Sequence, residues 1–140
     1  MSIGKLGKTD ALAILRKGTL GRLGCIAADW PYVVPVNYYF DGENIYIHTL
    51  PGKKLDALRA NPRVCLQADE IKDSYNWRSV IAYGTFEEVS SEETRENVLT
   101  KLYSKLPHMT PVESRLVKGM TGTIVFRIKV EELTGMAEEW

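Results

Sequence analysis

Asp41-Gly42 stands between two runs that read as strands, residues 32–40 and residues 44–49. An Asp-Gly pair tolerates the positive φ angles of a tight hairpin turn, so the two runs are expected to be antiparallel neighbours. The first run is apolar or aromatic on both faces, with Val33, Pro35 and Tyr39 on one side and Tyr32, Val34, Val36, Tyr38 and Phe40 on the other. A strand of that kind needs two covers. One is a core; the other is a helix or a second copy of the chain, and this points to a dimer interface.

Similar runs recur along the chain. Residues 19–28, 63–69, 77–89 and 122–131 also read as strands, giving six in all. The helical stretches are short. Residues 10–17 place Leu12 and Leu15 on one face, with Thr9 or Asp10 as the cap and Gly18 as the stop. Residues 52–60 form a second helix ended by Asn61-Pro62. Ser90-Ser91-Glu92-Glu93 has capping-box spacing, and Val98, Leu99, Leu102 and Leu106 follow at helical intervals. Residues 107–120 read as a loop or a broken helix. Hairpin-linked strands with few long helices do not suit a doubly wound parallel sheet. They suit a mainly β chain closed into an antiparallel barrel with short flanking helices. At 140 residues, 1–140 is expected to be one domain.

Charge narrows the partners. Eighteen Lys and Arg balance eighteen Asp and Glu, so no general attraction to nucleic acid is expected. No window has the length and apolarity of a membrane span, and the first eight residues lack the apolar segment of a signal peptide, which predicts a cytoplasmic protein. Cys25 and Cys65 lie in apolar runs without a neighbouring His or Cys, and read as two buried, reduced thiols rather than metal ligands.

Chemistry concentrates where the third strand runs into the second helix, at His48-Thr49-Leu50-Pro51-Gly52-Lys53-Lys54-Leu55. A helix N-terminus offers unpaired N–H groups and partial positive charge, and two lysines add full charge. Thr49 brings a hydroxyl donor, and Gly52 lets a ligand approach the backbone. The pattern is that of a cradle for phosphate; with no net positive charge elsewhere, a small phosphorylated molecule fits better than a nucleic acid backbone. Lys53-Lys54 as a solvated surface pair, and His48 as a packed, hydrogen-bonded strand-end residue, are the plainer alternatives.

These segments, taken in order, resemble the pyridoxamine 5′-phosphate oxidase-like family of FMN-binding split barrels, nearest the branch of the nitroimidazole-resistance proteins. The resemblance is carried by Gly21-Arg22-Leu23-Gly24, Pro35-Val36-Asn37-Tyr38-Tyr39-Phe40, Ile47-His48-Thr49 with Gly52-Lys53-Lys54-Leu55, Asn61-Pro62-Arg63-Val64, and Ser79-Val80 leading to Tyr83-Gly84. It implies a six-stranded antiparallel split β-barrel with FMN in a groove between two subunits. Pro35, Val36, Asn37 and Tyr38 would lie along the flavin ring, largely through backbone groups. His48 and Thr49 would sit near the ribityl chain and phosphate, and Lys53 and Lys54 would hold the phosphate. Ser79 and Val80 would approach the flavin from the other subunit, and Trp77 or Trp140 would cover the ring or anchor the interface. Tyr38, Tyr39 and Tyr83 also fit as core or interface aromatics.

The chain departs from the oxidase proper. Its second strand carries no Lys or Arg between Val34 and Phe40, which leaves the phosphate to Lys53 and Lys54, and its C-terminal Thr134-Gly135-Met136-Ala137-Glu138-Glu139-Trp140 lacks the arginine and histidine pattern that would bind pyridoxal phosphate. The resemblance therefore implies a homodimeric, FMN-dependent oxidoreductase of a small molecule, such as a nitroaromatic, rather than a vitamin B6 oxidase. His48 is the titratable group placed to touch substrate. The alternatives are a flavin sensor or store without turnover, or a deazaflavin- or haem-binding barrel, the last resting on His48 and His108 alone.

Overall fold

A computed structural model describes residues 3–105 and 123–139. The elements run β1 (Ile3–Lys5), α1 (Lys8–Lys17), β2 (Leu20–Ala27), β3 (Trp30–Asn37), β4 (Tyr39–Phe40), β5 (Asn44–Thr49), α2 (Lys53–Ala60), β6 (Arg63–Asp73), β7 (Asn76–Glu88), α3 (Glu92–Ser104) and β8 (Ile124–Glu138). The strands form one antiparallel sheet in the order β3-β2-β6-β7-β8-β5-β4, with β1 beside the far end of β8. The sheet curls without closing, because β3 and β4 remain its two ends. This is the split barrel, not the closed one.

Asp41-Gly42 makes the expected hairpin. The Asp41 carboxylate accepts from the N–H groups of Glu43 (2.8 Å) and Asn44 (2.7 Å), the Asp41 N–H donates to the Asn44 carbonyl (3.1 Å), and Gly42 takes a φ of 102°. The first run of this hairpin breaks at Tyr38, which is why one expected strand appears as β3 and β4. Tyr38 is 1% exposed, and its hydroxyl donates to the Leu15 carbonyl at 2.7 Å. Gly18 makes room for it, since a Cβ there would lie 2.3 Å from the Tyr38 oxygen.

Inward residues at alternate positions build the core: Leu23 and Cys25 from β2, Val36 from β3, Val64, Leu66 and Ala68 from β6, Val80 and Ala82 from β7, and Phe126 and Ile128 from β8. Helix α1 adds Ala11, Ile14 and Leu15, and α2 adds Ala57 and Leu58. A second cluster of Val98 and Leu102 seats α3 on Tyr46, Val89 and Val125.

Several expected boundaries shift. The α1 N-cap is Gly7, with no side-chain cap bond, not Thr9 or Asp10. Ser91 caps α3 by accepting from the Thr94 N–H at 3.3 Å, so the residue three positions on is Thr94 rather than a glutamate. Strand β8 runs to Glu138, seven residues past the expected end. It pairs with β7 on one side, and with β5 and then β1 on the other. The expected loop at 107–120, with Leu106, His108 and Trp140, lies outside the described residues.

Candidate functional site

Helix α2 opens at Gly52 with no side-chain cap, and its first intrahelical bond is Asp56 N–H to the Gly52 carbonyl, 3.0 Å. The N–H groups of Lys53, Lys54 and Leu55 therefore have no intrahelical partner. Space beside Gly52 is open, because a Cβ there would meet nothing closer than the Leu50 carbonyl at 4.0 Å. Its φ of 170° is extended backbone that any residue adopts, so openness rather than strain distinguishes the position.

The two lysines flank one rung of the β2–β3 ladder, Cys25 opposite Tyr32. Lys53 is exposed and places its ammonium 4.8 Å from the centre of the Tyr32 ring. Lys54 is half-buried and interacts electrostatically with Cys25 and His48. Burial pulls the Lys54 amine below the usual lysine range, with the Cys25 thiol opposing the shift. Burial, and then the positive charge of Lys54, holds His48 below its ordinary value, so near pH 7 its imidazole is neutral. Its ring packs edge-on against Tyr103 of α3, centroids 5.7 Å apart. An anion entering here would meet a cation that the fold has partly stripped of water.

Strand β3 supplies the neighbouring surface. The Tyr38 N–H donates to the Thr19 carbonyl at 3.0 Å, which sets the phase of the antiparallel ladder. By alternation, Tyr32, Val34 and Val36 bond to β2, and residues 31, 33, 35 and 37 turn their backbone groups to the open edge. Two of these are prolines without an N–H, so Val33 and Asn37 are the donors on that edge. The side chains of Val33, Pro35 and Asn37 are exposed, whereas those of Val36 and Tyr38 point into the core. Val36 and Tyr38, expected to contact the ring through backbone, are not placed to do so. Val36 turns its backbone groups to β2, the Tyr38 N–H is held by Thr19, and both side chains are in the core, so the open edge is offered by Val33, Pro35 and Asn37 instead.

The remaining expected residues do not all converge. The Thr49 hydroxyl donates to the Leu50 carbonyl at 2.9 Å and must turn to serve a phosphate. Val80 is fully buried in an internal strand whose backbone is paired with β6 and β8, so it offers a ligand neither side chain nor free backbone groups. Ser79 faces the outer side of the sheet, where its Oγ accepts from the Gln67 amide at 3.0 Å. Three strand steps (β3 to β2 to β6 to β7) separate it from the β3 edge, ~14 Å at the usual spacing. Trp77 is held by Glu138, its indole N–H donating to the carboxylate at 3.0 Å. Cys25 and Cys65 are free thiols, and burial pushes both up. They lie on adjacent rungs with side chains to opposite faces, so they cannot bridge.

Sequence reasoning missed a strip of paired polar groups on the outer face. Arg22 meets Asp69 at 3.2 Å, and the Gln67 amide donates to Asp69 at 2.9 Å as well as to Ser79. The outward phase of Arg22, Gln67 and Asp69 in otherwise apolar strands was its signal.

Residues 7–137 match the family described as pyridoxamine 5′-phosphate oxidase. The chain belongs to that family. A FAD-binding protein from Mesorhizobium loti superposes with a TM-score of 0.81 at 28% identity, covering 99% of this chain and 100% of that one. A candidate 5-nitroimidazole antibiotic resistance protein from Bacteroides thetaiotaomicron shares the fold, with a TM-score of 0.76 at 18% identity over 98% of this chain and 89% of its own. An uncharacterized protein of Rhizobium meliloti is 29% identical across 98% of this chain and 96% of its own length. The recognised family and its split-barrel fold are thus both present, and solved neighbours of this family member include proteins named for flavin binding. Among the described residues, no helix is long and apolar enough to cross a membrane, and no three His, Cys, Asp or Glu side chains cluster to hold a metal.

Proposed function

We propose that this protein is a homodimeric flavoprotein that reduces a small molecule, with a nitroaromatic as the leading substrate class. The observation that carries the reading is the uncapped N-terminus of α2. Lys53, Lys54 and three unpaired N–H groups meet there beside the open, apolar edge of β3. A flavin phosphate needs the first feature, and a flat, mostly apolar ring with polar edges needs the second. Bound flavin would supply the electron chemistry.

The chain's own groups divide the work. Lys54 and the first-turn N–H groups hold the phosphate, and Lys53 adds charge from solvent. Val33 and Asn37 N–H groups, with the edge carbonyls, orient the ring, while Pro35 and Val33 side chains keep water from it. Neutral His48, beside Lys54, can accept a proton or hydrogen-bond a substrate near the cofactor. Ser79, ~14 Å from the β3 edge of its own chain, serves the ring bound by the other subunit. The exposed apolar groups of that outer face (Leu20, Val33, Tyr83 and Met136) support a second copy there.

The purified protein should be yellow, scatter light as a dimer, hold one flavin per chain and turn over a nitroaromatic with a nicotinamide donor. A colourless protein that takes up no added flavin refutes the reading. A yellow dimer without turnover leaves a binding module only.

A further inference from the structure

The polar strip of Arg22, Asp69, Gln67 and Ser79 crosses β2, β6 and β7 on the outer face, and the flavin site as described uses only its last member. Exposed apolar side chains stand at both ends. Leu20 lies two residues before Arg22 on the same face of β2, and Met136 is opposite Ser79 on β8. A second copy seated on these groups would cover the strip and strengthen every hydrogen bond in it.

The direction of each bond in the strip is forced. A carboxylate only accepts. Asp69 Oδ2 takes one donor from Arg22 Nη1 at 3.2 Å and one from Gln67 Nε2 at 2.9 Å. The opposite amide orientation would set the Gln67 oxygen against the carboxylate, acceptor to acceptor. The same Nε2 lies 3.0 Å from Ser79 Oγ, so its second proton goes to the serine. Ser79 is thereby an acceptor within the strip, and its own proton is left over. Asp69 stands opposite Ser79 in the ladder, yet the two are joined only through the amide. Among the described residues, none accepts the Ser79 proton.

We infer that Arg22, Asp69 and Gln67 form a polarity relay that makes Ser79 an obligate hydrogen-bond donor to the flavin ring held by the second copy, and so raises the reduction potential of that flavin. The inference rests on the flavin reading above and deepens it. Ser79 is the group that touches the ring; Arg22, Asp69 and Gln67 are positioning residues. A flavin ring gains negative charge along its carbonyl and nitrogen edge on two-electron reduction. A donor there binds the reduced form more tightly than the oxidised one, and an acceptor would do the reverse.

The test reverses the strip while keeping its shape and net charge. In Gln67→Glu/Asp69→Asn the new amide at position 69 donates to the new carboxylate at position 67, which takes the Ser79 proton and turns it from the ring. Spectroelectrochemical titration of the FMN-loaded dimer reads the potential. Ser79→Ala should weaken reduced FMN relative to oxidised FMN about tenfold. For a two-electron couple that is a potential about 30 mV more negative. The reversed pair should lower it at least as far, and in a Ser79→Ala background should change the ratio less than about twofold. If the reversed pair does not fold, Gln67→Leu carries the test. Freed of the amide, the hydroxyl can turn its proton to Asp69, and the ratio should fall severalfold only while Ser79 is present. An equal shift with and without Ser79 reports a moved charge and overturns the relay. Unchanged potentials, or FMN held by a monomer, overturn it too and leave flavin binding standing. A protein that takes up no FMN overturns both readings.

Discussion

Replacing Lys54 by Met tests the phosphate cradle with little disturbance to packing, because Met keeps the length of the buried stem and removes only the charge. Lys54 is half-buried at the first turn of α2, and burial already holds its amine below the usual range. A hydrogen bond to a charged group contributes about 1.5–3 kcal/mol. At 1.4 kcal/mol per tenfold, loss of one such bond should raise the flavin Kd by about 10- to 150-fold. Lys53 is exposed, and an exposed ion pair is worth only about 0.2–1 kcal/mol. Lys53→Ala should therefore weaken FMN less than about fivefold, and that small effect should vanish in 1 M salt, where screening acts over about 3 Å. Stability should move the other way. The free fold disfavours a charged Lys54, so Lys54→Met should leave the urea midpoint unchanged or raise it. Equilibrium dialysis against FMN at low and high salt, with urea denaturation alongside, gives both readouts. A Lys53→Ala/Lys54→Met double variant that folds normally and binds flavin within twofold of wild type would refute the cradle.

The other predictions concern the groups around it. Gly18→Ala should cost about 1–3 kcal/mol in urea denaturation, because its Cβ would overlap the Tyr38 hydroxyl, and the cost should shrink in a Tyr38→Phe background. His48 should titrate by NMR below 6.5 in the flavin-free protein and move up when flavin phosphate binds. Since its folded value lies below its unfolded one, its contribution to stability is complete above about pH 6.5 and is lost as pH falls through the folded value. A His48→Gln variant should show less acid destabilisation; an identical pH profile would remove His48 from the account. Tyr103→Phe should be neutral or stabilising, because the buried Tyr103 hydroxyl has no hydrogen-bond partner among the described residues; a loss above about 1 kcal/mol would reveal one.

Much of this fold could be read from local rules. Asp41-Gly42 marked the hairpin, Asn61-Pro62 the end of α2, and the adjacent Lys53-Lys54 pair a basic helix start. What was missed depends on pairing between distant segments. The edge status of β3 was written in Pro31 and Pro35, whose missing N–H groups suit only the unpaired side, but which side is unpaired depends on β2. The far half of β8 was hidden by a bulge: Tyr83 pairs with Glu132 but Gly84 with Val130, so Glu131 is skipped and the alternation changes phase. β1 is three residues long and exists because the end of β8 gives it a partner. The candidate site was legible where charge is local, at Lys53 and Lys54. It was less so where orientation decides, as with Val80, which is buried, and Thr49, whose hydroxyl is already engaged.

A crystal structure of the flavin-saturated protein tests the central claim most directly. The account predicts a flavin phosphate within hydrogen-bonding distance of Lys54 Nζ and the first-turn N–H groups of α2, the ring along Val33 to Asn37, and Ser79 of a second copy beside it. A phosphate bound away from α2, or a ring seated wholly within one chain, would contradict it.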